Sequence, residues 1–94
     1  MIESFADPET EKIFKGLVSR KLPPDIQKTA RRKLLYIHSA RDVRDLLAPP
    51  GNRLEELRGA WAGQHSLRIN DQWRICFTWS QTGARDVEIV DYHK

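Results

Sequence analysis

The spacing of apolar positions changes once along the chain, dividing it into a helical part and a sheet part. In the first part Ile26, Ala30, Leu34 and Ile37 recur at i, i+4, i+8 and i+11, which is one face of a helix. Pro24-Asp25 opens that helix, because proline fits the first turn and an acid favours the positive end of the helix dipole. Asp7-Pro8-Glu9 opens an earlier helix by the same logic, with Asp7 placed to cap free N–H groups. Ile13, Phe14, Leu17 and Val18 form its apolar edge, and Pro23-Pro24 ends the segment. Residues 2–5 read as a short first strand. A further helical turn or two runs through Val43, Leu46 and Leu47, until Ala48-Pro49-Pro50-Gly51-Asn52 breaks the helix and turns the chain.

Beyond that breaker the period falls to two. Residues 53–58 predict a short strand ending at Gly59. Leu67 and Ile69 alternate with Ser66, Arg68 and Asn70, and Asn70-Asp71 marks a tight turn. Trp73, Ile75, Phe77 and Trp79 alternate with Arg74, Cys76 and Thr78, the clearest strand of the chain. Thr82-Gly83 turns again, and Val87 and Ile89 open the last strand. The expected architecture is α+β over one domain, residues 1–94, with the N-terminal helices covering the apolar face of an antiparallel meander.

Strand parity carries a functional consequence. With Leu67, Ile69, Trp73, Ile75, Phe77, Val87 and Ile89 turned to the helices, the opposite face receives Ser66, Arg68, Arg74, Val90 and Tyr92. Two guanidiniums and a phenol on an open sheet face suit a phosphodiester, since arginine offers a rigid fork of donors. The structural alternative is an ordinary ladder in which Arg68 and Arg74 pair with Glu88. Arg58 joins this face if Leu57, rather than Leu54, is the core residue of its strand.

Composition narrows the classes. The chain has 94 residues, 39% hydrophobic and 31% charged, with a single cysteine and a net charge of +3. Lone Cys76 excludes a disulfide framework, and His38, His65 and His93 lack metal-ligand spacing, so neither metal nor cofactor is expected. The longest apolar run, residues 34–37, is far too short for a membrane span, and the start lacks the pattern of a secretory signal. A cytoplasmic location without a membrane partner is the expectation. Charge is uneven: residues 1–19 carry a net −2, residues 20–47 a net +5, and residues 48–94 balance. Arg31, Arg32 and Lys33 concentrate that excess, either for a polyanion or as a solvated helix face. Trp61, between Gly59 and Gly63, falls in a hairpin loop, where it stacks on a base or folds back on the core.

Several stretches together resemble the HigB group of toxins, within the RelE/ParE superfamily. They are Pro49-Pro50-Gly51-Asn52-Arg53-Leu54-Glu55, Leu57-Arg58-Gly59, the run from Ser66 through Trp73-Arg74-Ile75-Cys76-Phe77, and the closing Val87-Glu88-Ile89-Val90-Asp91-Tyr92-His93. The resemblance covers nearly the whole chain. It implies a RelE-like fold, with two N-terminal helices on a curved antiparallel sheet. It also implies a toxin of a type II toxin–antitoxin pair that acts as a ribosome-dependent, metal-independent mRNA endonuclease. The implied partners are a HigA-type antitoxin and the ribosome, through ribosomal RNA and the message in the decoding site. Operator DNA is reached only through the antitoxin.

The site residues implied are Arg58, Arg74, Asp91, Tyr92 and His93. Arg74 holds the scissile phosphate, Arg68 supports the RNA backbone, and Arg31, Arg32 and Lys33 dock on ribosomal RNA. Metal-free cleavage through the 2′-OH needs a base, an acid and cations around the phosphorus. Arg58 replaces the lysine frequent in the family and stays protonated, so it stabilises charge but is a poor base. Glu55 stands where some members have histidine, and His65 where many have tyrosine; both are candidates for proton transfer. By parity His65 faces the core. Two other classes compete: a ParE-like gyrase poison without catalysis, and a plain RNA-binding module built on the basic helix.

Overall fold

A computed structural model describes residues 1–57 and 63–92. Helix α1 spans Pro8–Phe14 and α2 spans Pro24–Ser39, followed by short 3-10 turns at Val43–Leu47 and Pro50–Asn52. Strands β1 (Glu55–Glu56), β2 (Gln64–Arg68), β3 (Trp73–Ser80) and β4 (Gly83–Asp91) form one antiparallel sheet in the order β1-β2-β3-β4. The helices lie on one face of it. Ile26, Ala30, Leu34 and Ile37 from α2 share a core with Leu67, Ile75, Phe77, Val87 and Ile89 from the sheet. Each of these side chains except the small Ala30 contributes about 1.5–3 kcal/mol by leaving water.

The local signals act largely as the pattern predicts. Asp7 caps α1 by accepting from the Thr10 amide at 2.6 Å, with Pro8 in the first turn. Thr10 Oγ1 then accepts from the Ile89 amide at 3.0 Å, fastening α1 to β4. Asn70 Oδ1 accepts from the amides of Gln72 and Trp73, each at 2.8 Å, and so closes the β2–β3 turn. Asn52, in the predicted breaker, is fully buried and donates to the carbonyls of Leu46 and Ala48.

Five expectations are corrected. Residues 2–5 do not form a full strand: Ile2 and Phe5 make single parallel bridges to Ala84 and Val87 before Asp7 turns the chain into α1. This close approach requires glycine at position 83 (φ 144°), where a Cβ would fall 2.1 Å from the Met1 carbonyl oxygen. Helix α1 stops at Phe14, short of Leu17 and Val18, because Gly16 adopts φ 83°. The Leu17 amide donates to Lys12 O at 2.9 Å and the Gly16 amide to Ile13 O at 3.0 Å, a Schellman closure. The turn through Val43 and Leu46 is 3-10, set by an Asp42/Asp45 capping box. Strand β1 holds only Glu55 and Glu56 of the expected residues 53–58; Arg53 at φ 44° reverses the chain just before it.

Lys33 is the fifth correction. It is buried on the core side of α2, not exposed beside Arg31 and Arg32. Its Nζ donates to Gly51 O at 3.3 Å and, through a short hydrogen bond, to Arg68 O. The amine therefore joins α2 to the second 3-10 turn and the end of β2, and it cannot dock on ribosomal RNA. Position 33 lies at i+7 from Ile26, on the apolar face, so periodicity already carried the signal.

Candidate functional site

The outer sheet face gathers its side chains through register. Glu55 stands opposite Ser66, Ser66 opposite Cys76, Arg68 opposite Arg74, and Arg74 opposite Val90. All of these residues fall on the face that parity turns away from the helices. A register shift between Cys76 and Thr78, with Asp86 at φ 52°, places an extra residue in β4 and increases its twist. Leu54 packs against the core, and Glu55 lands on the outer face. The parity question around Leu54 and Leu57 is thereby answered for β1, while Arg58 itself lies outside the described residues.

Arg74 is the centre of the arrangement. It is only 7% exposed. Its Nε donates to Ser66 Oγ at 2.8 Å, and Nη2 donates to Arg53 O at 2.6 Å and Ser66 O at 3.3 Å. Nη1 stands 3.4 Å from Glu55 Oε1, and the guanidinium carbon lies 5.7 Å from the centre of the Tyr92 ring. One edge of the fork is thus committed to the protein, which differs from the freely offered bidentate fork that parity alone suggests. The Nη1 end remains, faced by a solvent-exposed carboxylate. Arg68 is partly exposed and paired with Asp71, so neither arginine takes the Glu88 partnership of the ladder alternative.

Tyr92 follows β4 and is 41% exposed, with its amide donating to Gln72 O at 2.6 Å. The Cys76 thiol donates to the Tyr92 oxygen at 3.9 Å. Burial raises the pKa of the Tyr92 phenol above its ordinary value, with the Cys76 interaction adding to the rise and Arg74 and a hydrogen bond with Ser66 opposing it. Burial likewise raises Cys76, against the Tyr92 hydrogen bond and the positive charge of Arg74. The phenol is therefore protonated at neutral pH and the thiol is a weak nucleophile. Beside them a cavity of about 410 Å³ is lined by Leu57, Gln64, Cys76, Glu88, Val90 and Tyr92.

The remaining candidates fall in different places. Asp91 stands opposite Trp73, on the alternate parity to Tyr92, and its Oδ2 accepts from Gln72 Nε2 at 3.1 Å, yet it lines the same cavity as Cys76 and Tyr92. His65 faces the core side, stacks on Phe77 with centroids 5.9 Å apart, and stands opposite Phe77 and Glu56, not beside Arg74. Arg31 and Arg32 are exposed on α2, in the helical layer, away from this face. His93 and Trp61, like Arg58, lie outside the described residues. Ser66 and Cys76 are the members that sequence reasoning did not assign. Their parity was visible, but the Ser66–Arg74 and Cys76–Tyr92 contacts depend on strand register.

A four-stranded antiparallel sheet under two helices, with arginine and tyrosine on its open face, defines an α+β protein of a fold found in solved structures. Two Staphylococcus aureus structures share the fold. A YoeB-YefM complex superposes with a TM-score of 0.63 at 18% identity, covering 100% of this chain and 99% of that one. A YoeB dimer does so at 0.62 and 18%, covering 99% and 98%. The family model described as "RelE-like toxin of type II toxin-antitoxin system HigB" matches residues 3–93. Toxin HigB-1 of Vibrio cholerae serotype O1 is 42% identical over 75 residues, spanning 80% of this chain and 78% of its own. An uncharacterized Haemophilus influenzae protein is 31% identical over 86 residues, spanning 90% and 85%. The chain belongs to the HigB-like toxin family, the RelE-like toxins of type II toxin–antitoxin systems.

Proposed function

We propose that this toxin is a metal-independent endoribonuclease that cleaves mRNA on the ribosome and is held in check by a HigA-type antitoxin. The observation that carries the reading is the convergence of Arg74, Tyr92 and Glu55 on one open sheet face, with Arg74 clamped by Ser66 and Arg53. A cation fixed before substrate arrives stabilises developing phosphoryl charge without reorganising. The scissile phosphate takes the Nη1 end of Arg74, displacing Glu55, while Arg68 holds the neighbouring backbone. Glu55, freed beside the reacting centre, accepts the 2′-OH proton. Tyr92, kept protonated by its raised pKa, donates to the departing 5′-oxygen. Arg58 and His93 complete the set that the family resemblance implies, with Asp91 and His93 flanking Tyr92 in sequence. The adjoining cavity is within the size range of small-ligand pockets, about 300–1,000 Å³, and suits one nucleobase.

The test is mRNA 5′-end mapping in a reconstituted translation reaction, wild type against Tyr92→Phe. New ends within codons, formed only with ribosomes and reduced about 10²–10⁴-fold in the variant, are expected for loss of a general acid. Blocked translation without new ends would move the reading to an RNA-binding module. Killing with translation intact would move it to a gyrase poison.

A further inference from the structure

One carboxylate on the outer sheet face has no part in the chemistry proposed above. Glu88 stands opposite Cys76, in the row that runs Glu55, Ser66, Cys76, Glu88 across the sheet, beside the row of Arg68, Arg74 and Val90. The two rows are about 7 Å apart, since a strand rises about 3.4 Å per residue. Among the described residues no cation pairs with Glu88: Arg68 goes to Asp71 and Arg74 to Glu55. Glu88 is half-buried and lines the cavity of about 410 Å³ beside Tyr92. Gln64 is half-buried too and reaches the same cavity from β2, on the far side of β3. A carboxylate and an amide thus flank one space, with Leu57 and Val90 as its apolar wall. On a face suited to an anion, an unpaired carboxylate is unfavourable unless its ligand is a donor.

The charge of the cavity repels phosphate, which goes to Arg74 instead. What the cavity can take is a neutral group that offers donors to Glu88 and an acceptor to Gln64. Among the four bases of RNA, guanine matches both. Its N1–H and N2–H groups are adjacent donors that one carboxylate accepts together, and its O6 accepts from an amide. Adenine and cytosine turn a ring-nitrogen acceptor toward the carboxylate, and uracil has a single ring N–H between two carbonyls. We infer that Glu88, with Gln64, reads a guanine in the nucleotide 3′ to the cleaved bond. The position follows from the order of the strands. In the proposed reaction Glu55, on β1, takes the 2′-OH proton, and Tyr92, after β4, protonates the departing 5′-oxygen. The departing nucleotide therefore lies on the β4 side, where Tyr92 and Glu88 line the cavity. The inference rests on the nuclease reading above.

Reconstituted translation of four messages that differ only in the base 3′ to a mapped cut tests this, with wild type, Glu88→Gln and, separately, Gln64→Leu. The wild type is expected to cut the guanine message about tenfold or more faster than the adenine message, as one bidentate contact can discriminate. Glu88→Gln should bring that ratio to one or below, because an amide presents a donor to adenine N1 and an acceptor to its N6–H. Gln64→Leu should lower the ratio part of the way. The ratio is taken within each variant, so a general loss of activity cancels; if a thermal melt shows Glu88→Gln unfolded, Gln64→Leu decides. Cuts without a guanine preference would overturn the inference and leave the nuclease reading standing. So would a ratio unchanged in both variants. An unchanged ratio with weakened binding of the purified antitoxin to Glu88→Gln would overturn it as well, and assign the cavity to a basic side chain of that partner. No cut in any message would remove the nuclease reading and the inference with it.

Discussion

Lys33 and Arg74 are buried cations on opposite sides of the β2–β3 pair. Lys33 works from the helical side, where its amine is spent on the carbonyls of Gly51 and Arg68. Arg74 works from the outer face, where Ser66 and Arg53 hold one edge of its fork and the Nη1 end meets Glu55. The chemistry of the two groups explains the contrast. An ammonium is a compact point charge that a few carbonyls consume. A planar guanidinium can be anchored along one edge and still present the other. The two also cooperate, since Lys33 fixes the backbone of Arg68 from behind while the Arg68 side chain stands across from Arg74 on the open face.

The contrast breaks most clearly at Arg74. Arg74→Lys keeps a charge but loses the clamped fork, and we expect ribosome-dependent cleavage to fall by about 10²–10³-fold. The unpartnered Ser66 and Arg53 groups should also cost about 1–3 kcal/mol, read from urea unfolding. Cleavage lost without a change in stability would mean that the anchoring contacts are dispensable.

A smaller effect is expected at Lys33, and in stability alone. Burial lowers the pKa of its amine, with Arg32, Arg68 and Arg74 adding to the fall. The unfolded chain then binds more protons than the folded one between that lowered pKa and the ordinary value near 10.5. Stability should therefore rise with pH across that window. Lys33→Met should flatten this slope in melting temperature against pH and leave cleavage intact. A variant that loses cleavage while remaining folded would move Lys33 into the functional set.

The smallest effect is spectroscopic. The Tyr92 phenol should titrate above the ordinary tyrosine range, read as ultraviolet absorbance of the wild type minus Tyr92→Phe, which removes the Tyr36 signal. Because Cys76 contributes to the rise, Cys76→Ala should move the titration downward. No movement would leave burial as the whole cause.

Much of this was legible before any coordinates. The helix face through Ile26, Leu34 and Ile37, the Asp7 cap, the Asn70 turn and the alternation along β3 are local signals, and each appears as read. Parity placed Arg68, Arg74 and Ser66 together, and it placed His65 on the core side. Less legible was anything set by competition between near neighbours. Leu17 and Val18 fit the apolar edge of α1, but Gly16 closes the helix before it reaches them. Lys33 sits at a core spacing inside a run of three bases, and charge and periodicity pull its reading in opposite directions.

By itself the sequence determined the α+β class, the order of helices and strands, and which residues alternate to the outer face, because periodicity and turn chemistry act over a few bonds. Its long motifs also carried the likeness to HigB toxins that the family match then showed. Tertiary structure alone decided that Arg74 is clamped along one edge, that Glu55 meets its other end, and that Lys33 is structural. Those outcomes join residues that are distant in sequence, such as Lys33 with Arg68 and Arg53 with Arg74. Register and packing set such distances, and no spacing along one chain segment encodes them.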